Sequence, residues 1–210
     1  LAGLLAVGLP SLGLLFWLLV ALRVVNRTVG LPARLLDSLG LLGLGAWQAW
    51  QGDWLAGLLT VVAFLLDARL APPLRRQIGF AAAALAATIV LTWLGGRPAE
   101  PQGWTLLAEV GMVAVAVLFS LVIIGSSRTT TLCDETQEPL QPRRVQAAQG
   151  LCLVSALSLS WWHGQAGAVA MLPAWAAMLG AGLYRLGLLY RAATGARGDR
   201  GLGPGRTEGR

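Results

Sequence analysis

Thread the apolar runs of this chain back and forth across a bilayer, and fifteen of its sixteen arginines fall on one side; there is no lysine. Bias of this kind orients membrane helices, with the arginine-rich side facing the cytoplasm. The count is three in the first inner loop (Arg23, Arg27, Arg34), three in the second (Arg69, Arg75, Arg76) and three in the third (Arg128, Arg143, Arg144). Six more follow from Arg185 onward, and Arg97 alone falls outside. Only 12% of the chain is charged, about half of what a soluble domain uses to cover its surface. Lipid is therefore the expected solvent, and anionic lipid headgroups the expected neighbours of the arginines. The net charge of +6 then calls for no nucleic acid.

Length sets the number of crossings. The 34 residues between Arg34 and Arg69 would make one helix of roughly 51 Å, against a hydrocarbon core of ~30 Å. Two short helices turning at Gln51-Gly52-Asp53 fit better, with Trp47, Trp50 and Trp54 anchored in the headgroup layer. The same holds for the 40 residues between Arg144 and Arg185, which turn near His163-Gly164-Gln165. The expected fold is an all-α integral membrane bundle of about seven spans: 3–22, 35–50, 54–68, 78–95, 104–125, 145–162 and 166–190. The second span, if tilted or interfacial, lowers the count to six or five. Residues 192–210 are Gly/Arg-rich and read as a disordered cytoplasmic tail. The expected location is a bacterial inner (plasma) membrane, N-terminus outside and C-terminus cytoplasmic. The chain opens at Leu1 without methionine, as a trimmed, processed or partial product would.

The layout carries a weak internal echo. Asn26-Arg27-Thr28 matches Ser127-Arg128-Thr129, and Trp50-Gln51-Gly52 matches Trp162-His163-Gly164. Arg34 with Gly40 matches Arg144 with Gly150, and Arg69 matches Arg185. These pairs suggest a 3+1+3 arrangement of two parallel three-helix units. Leucine-rich spans also align by composition alone. Parallel repeats of this kind occur in transporters; the layout is similar to the SWEET sugar transporters in topology only, without a sequence motif of that family.

Several chemistries are excluded by composition. Without lysine there is no retinal Schiff base, and one histidine cannot supply both axial ligands of a haem. No cofactor is implied: no clustered Cys/His or acidic metal motif, Gly-rich phosphate loop or nucleophile elbow appears. Cys133 and Cys152 lie on different levels, so no disulfide is expected.

The candidate site is a polar vestibule facing outside, built from Glu109, Asp53, His163, Gln51 and Gln48, with Gln165 nearby. Glu109, five residues into a span, is either a proton or cation site or a headgroup-layer residue about 7 Å deep. Polar residues at aqueous turns are also ordinary. His163 is the only side chain whose unperturbed titration lies near neutrality. Cys152, Ser155, Ser158 and Trp162 share one face of the sixth span, as helix-packing contacts or a solute path. Thr88 and Thr92 can bond back to their helix, and Pro10 and Pro173 should kink theirs. Asp37 and Asp67 close helix ends, where Asp67 is poorly placed to pair with Arg69. The acidic loop Cys133–Glu138 is a solvated linker or a docking patch.

Two functions follow from different features. The 3+1+3 layout and vestibule point to permease-like transport of a small solute. The absence of deep ionisable residues other than Glu109 points instead to a non-catalytic accessory or anchor subunit, or an assembly factor, with a membrane-protein partner or homo-oligomer. An enzyme or sensor is least supported, because paired acid/base groups and an output domain are both missing.

Overall fold

The computed structural model describes residues 11–27, 30–95, 103, 105–128, 132–133 and 139–198, with no side-chain description of 192 and 194–198. Among these the chain is all-helical. The helices are α1 (Leu12–Asn26), α2 (Leu35–Trp50), α3 (Trp54–Arg69), α4 (Arg76–Leu94), α5 (Leu106–Gly125), α6 (Pro142–His163), α7 (Gln165–Ala170) and α8 (Leu172–Gly198). A 3-10 turn, Ser126–Arg128, follows α5. Pro10, Arg97, Trp104, residues 134–138 and the tail beyond 198 lie outside the described residues.

Three helices are long and apolar enough to cross a membrane: Arg76–Leu94, Leu106–Gly125 and Leu172–Arg191. That is three, not the expected seven, and the reason is physical. The described part of α1 has 15 residues, and α2 and α3 have 16 each, about 24 Å of helix at most. The longer α6 starts with Arg143, Arg144, Gln146 and Gln149, which dilute its apolar character. The three long helices are peripheral, whereas the shorter α1, α2 and α3 bury much of their surface in the core. Lipid-facing helices must be apolar all round; interior ones need not be.

Helix α1 packs on α2, α3 and α6, so it is central. Helix α4 covers α2 and α3 on one flank; α5 and α8 cover α6 on the other. Trp17, Phe64, Leu41, Leu159, Met171 and Met178 are the largest fully buried side chains of the shared core. Close approach of α2 to α3 is set by Gly45, where a Cβ would overlap the Thr60 hydroxyl. Thr60 Oγ1 donates to Ala56 O at 2.9 Å and accepts from Trp17 Nε1 at 2.8 Å, so it has little freedom to withdraw. Gly57 plays the same part for α3 against Thr88 of α4. Thr88 bonds back to Ala84 O, as expected, whereas the buried Thr92 hydroxyl has no partner among the described residues.

The last predicted span is broken in two. Helix α7 ends at Ala170, and Met171 turns the chain into α8. Pro173 therefore stands in the first turn of α8, where a missing N–H costs nothing. Helix α8 then continues to Gly198, past the expected boundary of the tail near 192.

The internal echo survives in the turns and not in the packing. Gly52 (φ 97°) and Gly164 (φ 63°) both take the left-handed conformation that a tight turn needs. Yet Arg34 is exposed while its match Arg144 is buried; Arg69 is exposed while Arg185 lies across Gly125. Helix α4, moreover, packs on the first unit only.

Candidate functional site

Polar side chains gather at the two ends of the α1–α6 seam. At the arginine end, Asp67 is fully buried near the end of α3, with Arg27 at 6% and Arg144 at 2% exposure. Its Oδ1 accepts from Arg27 Nε at 2.8 Å and Arg144 Nη1 at 2.8 Å, and lies 2.7 Å from Arg27 Nη2. Its Oδ2 accepts from Gln77 Nε2 at 3.1 Å, and Gln77 exchanges hydrogen bonds with Ser38. One carboxylate thus ties α1, α2, α3, α4 and α6 together.

Arg144 spends the rest of its guanidinium on the backbone. It donates to Ala71 O (2.8 Å), Val25 O (3.0 Å), Leu70 O (2.7 Å) and Pro72 O (3.1 Å). With Asp67 these are five acceptors for five N–H groups, so the side chain is saturated. Arg27, at the left-handed C-cap of α1, adds a 3.0 Å bond to Pro72 O. Burial pulls the Arg27 guanidinium below its ordinary pKa; Asp67 pulls it back up, and Arg144 adds to the lowering. Buried charges are tolerable only when paired and hydrogen-bonded, and here each is. A small cavity of about 90 Å³, lined by Asn26, Cys133 and Gln141 among others, adjoins the cluster. Its geometry is that of a structural lock.

Sequence reasoning missed this cluster. It considered Arg69, the near neighbour, which points outward. The available signal was periodicity: Ala56, Thr60, Ala63, Phe64 and Asp67 all fall on the buried face of α3, so Asp67 needed distant counterions.

At the opposite end the two hairpin turns meet. Asp53 Oδ1 stands against His163 Nε2, an ion pair when the imidazole is protonated, and Trp54 packs edge-on against Trp162 with ring centroids 5.1 Å apart. A crevice of about 250 Å³ opens there, lined on its polar side by Ser11, Gln51, Asp53 and His163 and on its apolar side by Leu14 and Leu159. Three of the five vestibule residues, Asp53, His163 and Gln51, are therefore brought together.

The other two are not. Gln48 is buried and not part of the crevice lining; its Nε2 has no partner among the described residues. Glu109 lies in the first turn of α5, whose N-cap Thr105 accepts from Ala108 N. A carboxylate there answers the helix dipole, and it does not line the crevice. On α6, Ser155 is fully buried, its hydroxyl without a partner among the described residues, while Cys152 and Ser158 are half-buried. Ser158 bonds back to Val154 O at 2.7 Å. These three form no continuous polar path. Asp37 caps α2 by accepting from Arg34 N at 3.1 Å. An apolar groove of about 260 Å³ runs between α5 and the α7–α8 break, against Met112, Val115, Leu172 and Trp175.

Among the described residues, no group of three His, Cys, Asp or Glu side chains is placed to hold a metal ion. Comparison with protein-family models, with curated proteins and with solved structures found no match.

Proposed function

We propose that this is a multi-pass membrane protein acting as a non-catalytic accessory or anchor subunit of a membrane complex. In this reading all seven rods of the bundle, with α7 and α8 counted as one, lie across the bilayer of a bacterial inner membrane. The arginine end faces the cytoplasm. The short helices are accommodated by local thinning of the bilayer. Exposed Trp47 and Trp50 mark the headgroup level at the far end of α2, and the Trp50 carbonyl abuts Gly95 at the end of α4.

The observation that carries the proposal is the filled seam between the two halves. Trp17, Leu18, Ala21 and Val25 of α1 and Ala148, Leu151 and Leu159 of α6 are buried in one core. The crevices lie at the ends of this seam, not through it. A solute path needs room and polar lining at mid-depth; a scaffold needs a solid core and an apolar flank. Helix α5 supplies the flank, with Leu107, Val110, Val113, Val117 and Ile124 exposed along its length.

The test is purification of the full chain from membranes in mild detergent, with cross-linking through acidic residues or a photo-reactive group, since lysine is absent. A stoichiometric membrane partner is expected. A chain that emerges alone, or only with copies of itself, refutes the accessory role.

One observation favours a second reading, permease-like transport of a small solute: ion pairs close both ends of the same seam, Asp67 with two arginines at one and Asp53 with His163 at the other. Paired gates of this kind would alternate. In that case a cysteine at the buried Ser155 position would become accessible to water-soluble maleimide during turnover.

A further inference from the structure

We infer that the crevice at the hairpin-turn end is a binding site for a small organic cation, an alkylammonium with a short apolar body. The inference starts from an unusual choice made by Asp53. It is the N-cap residue of α3, a position where an aspartate ordinarily accepts a hydrogen bond from the first-turn backbone. Here its side chain makes no capping bond. The carboxylate faces the crevice instead, where His163 is its one side-chain partner among the described residues. His163 engages Oδ1, and no side-chain partner of Oδ2 is found among the described residues, so that oxygen remains for a ligand.

The chemistry of the lining fits the class. When His163 is neutral, Asp53 is the one formal charge among the described residues of the lining, and it is negative. The Ser11 hydroxyl and the Gln51 side chain offer further acceptors to an ammonium. Leu14 and Leu159 face them across about 250 Å³, at the small end of ligand pockets.

His163 makes the site proton-sensitive. Among the described residues of the lining, the α2–α3 turn brings Asp53, α1 brings the uncharged Ser11, and α7 brings only Ala166, Gly167 and Ala170. Glu109 stands apart in α5. Once protonated, the imidazolium is itself the cation that Asp53 holds, and a ligand must displace it. A protonated His163 therefore competes with the ligand for the Asp53 carboxylate.

Benzylammonium is a suitable probe, with benzyl alcohol as its neutral counterpart, titrated calorimetrically against the purified full chain. Saturable binding of benzylammonium is expected at pH 8 and weaker binding at pH 5. Asp53→Asn should abolish it at both values, and His163→Gln should retain it while removing the pH dependence. Equal binding of benzyl alcohol, unchanged binding to Asp53→Asn, or no saturation by about 10 mM overturns the inference. Fluorescence of the adjacent Trp54–Trp162 pair reports that each variant keeps its turns together. Because the site needs no partner, loss of the accessory role would leave this result standing, and the reverse.

Discussion

Asp67→Asn tests the lock at the arginine end most directly. The substitution keeps the shape and one acceptor oxygen, so the Gln77 contact can persist. It removes the negative charge that two guanidiniums share, and both are almost wholly buried. Breaking a buried pair by deleting one partner costs about 3–5 kcal/mol, because the remaining charge stays desolvated and unpaired. Arg144 retains four backbone carbonyls, which argues for the lower half of that range. For a chain of this length the loss corresponds to a fall in Tm of roughly 6–20 °C. The sharper measurement is a double-mutant cycle. Wild type buries two guanidiniums and one carboxylate; Asp67→Asn with Arg27→Gln buries one guanidinium and no carboxylate, so the net charge of the cluster returns to that of wild type. The double variant should therefore recover about 1–3 kcal/mol relative to additivity. Thermal unfolding of all four proteins in the same detergent supplies the data. A single-variant loss below about 1 kcal/mol, or strict additivity, would refute the lock.

Other consequences follow from the same packing. Gly45→Ala and Gly57→Ala each place a methyl on a threonine held by its own hydrogen bond; each should cost about 1–3 kcal/mol by overpacking, whereas Gly150→Ala, with nothing nearby, should be neutral or stabilising. The proposed orientation predicts that, in a cysteine-free background, Gln51→Cys at the exposed tip of the turn reacts with an impermeant maleimide added outside intact cells, while Arg75→Cys reacts only after lysis. The opposite pattern would invert the topology.

Much of the secondary structure was legible because its causes are local. The Gln51-Gly52-Asp53 and His163-Gly164 turns follow from glycines able to take positive φ, and the helices follow from apolar runs bounded by arginine. Of the seven expected spans, three are long and apolar enough to cross a membrane among the described residues, for a definable reason. Hydropathy and loop charge mark where a chain reverses, but they do not tell a lipid-facing helix from a short one sheltered by its neighbours. Helices α1, α2 and α3 are of the second kind. Of the candidate site, Asp53, Gln51 and His163 were readable as turn residues. Gln48 was grouped with the turn by its closeness in the chain, but it lies on the buried face of α2 and points into the core. Glu109 was readable only as a choice between depth and surface, and the first turn of α5 is where it lies.

By itself the sequence determined an all-helical chain, the residues at which it reverses, and the concentration of arginine at one end. Each depends on neighbours a few positions apart or on hydropathy averaged over a span. Tertiary structure alone decided which charges meet. Asp67 finds Arg27 and Arg144 at separations of 40 and 77 residues, passing over Arg69 two positions away. A helix face, not proximity in the chain, selects the partner: Arg69 points outward while the Asp67 face is buried against α1 and α6. Likewise His163 meets Asp53 only because α1 brings two hairpins side by side and leaves a crevice between their turns.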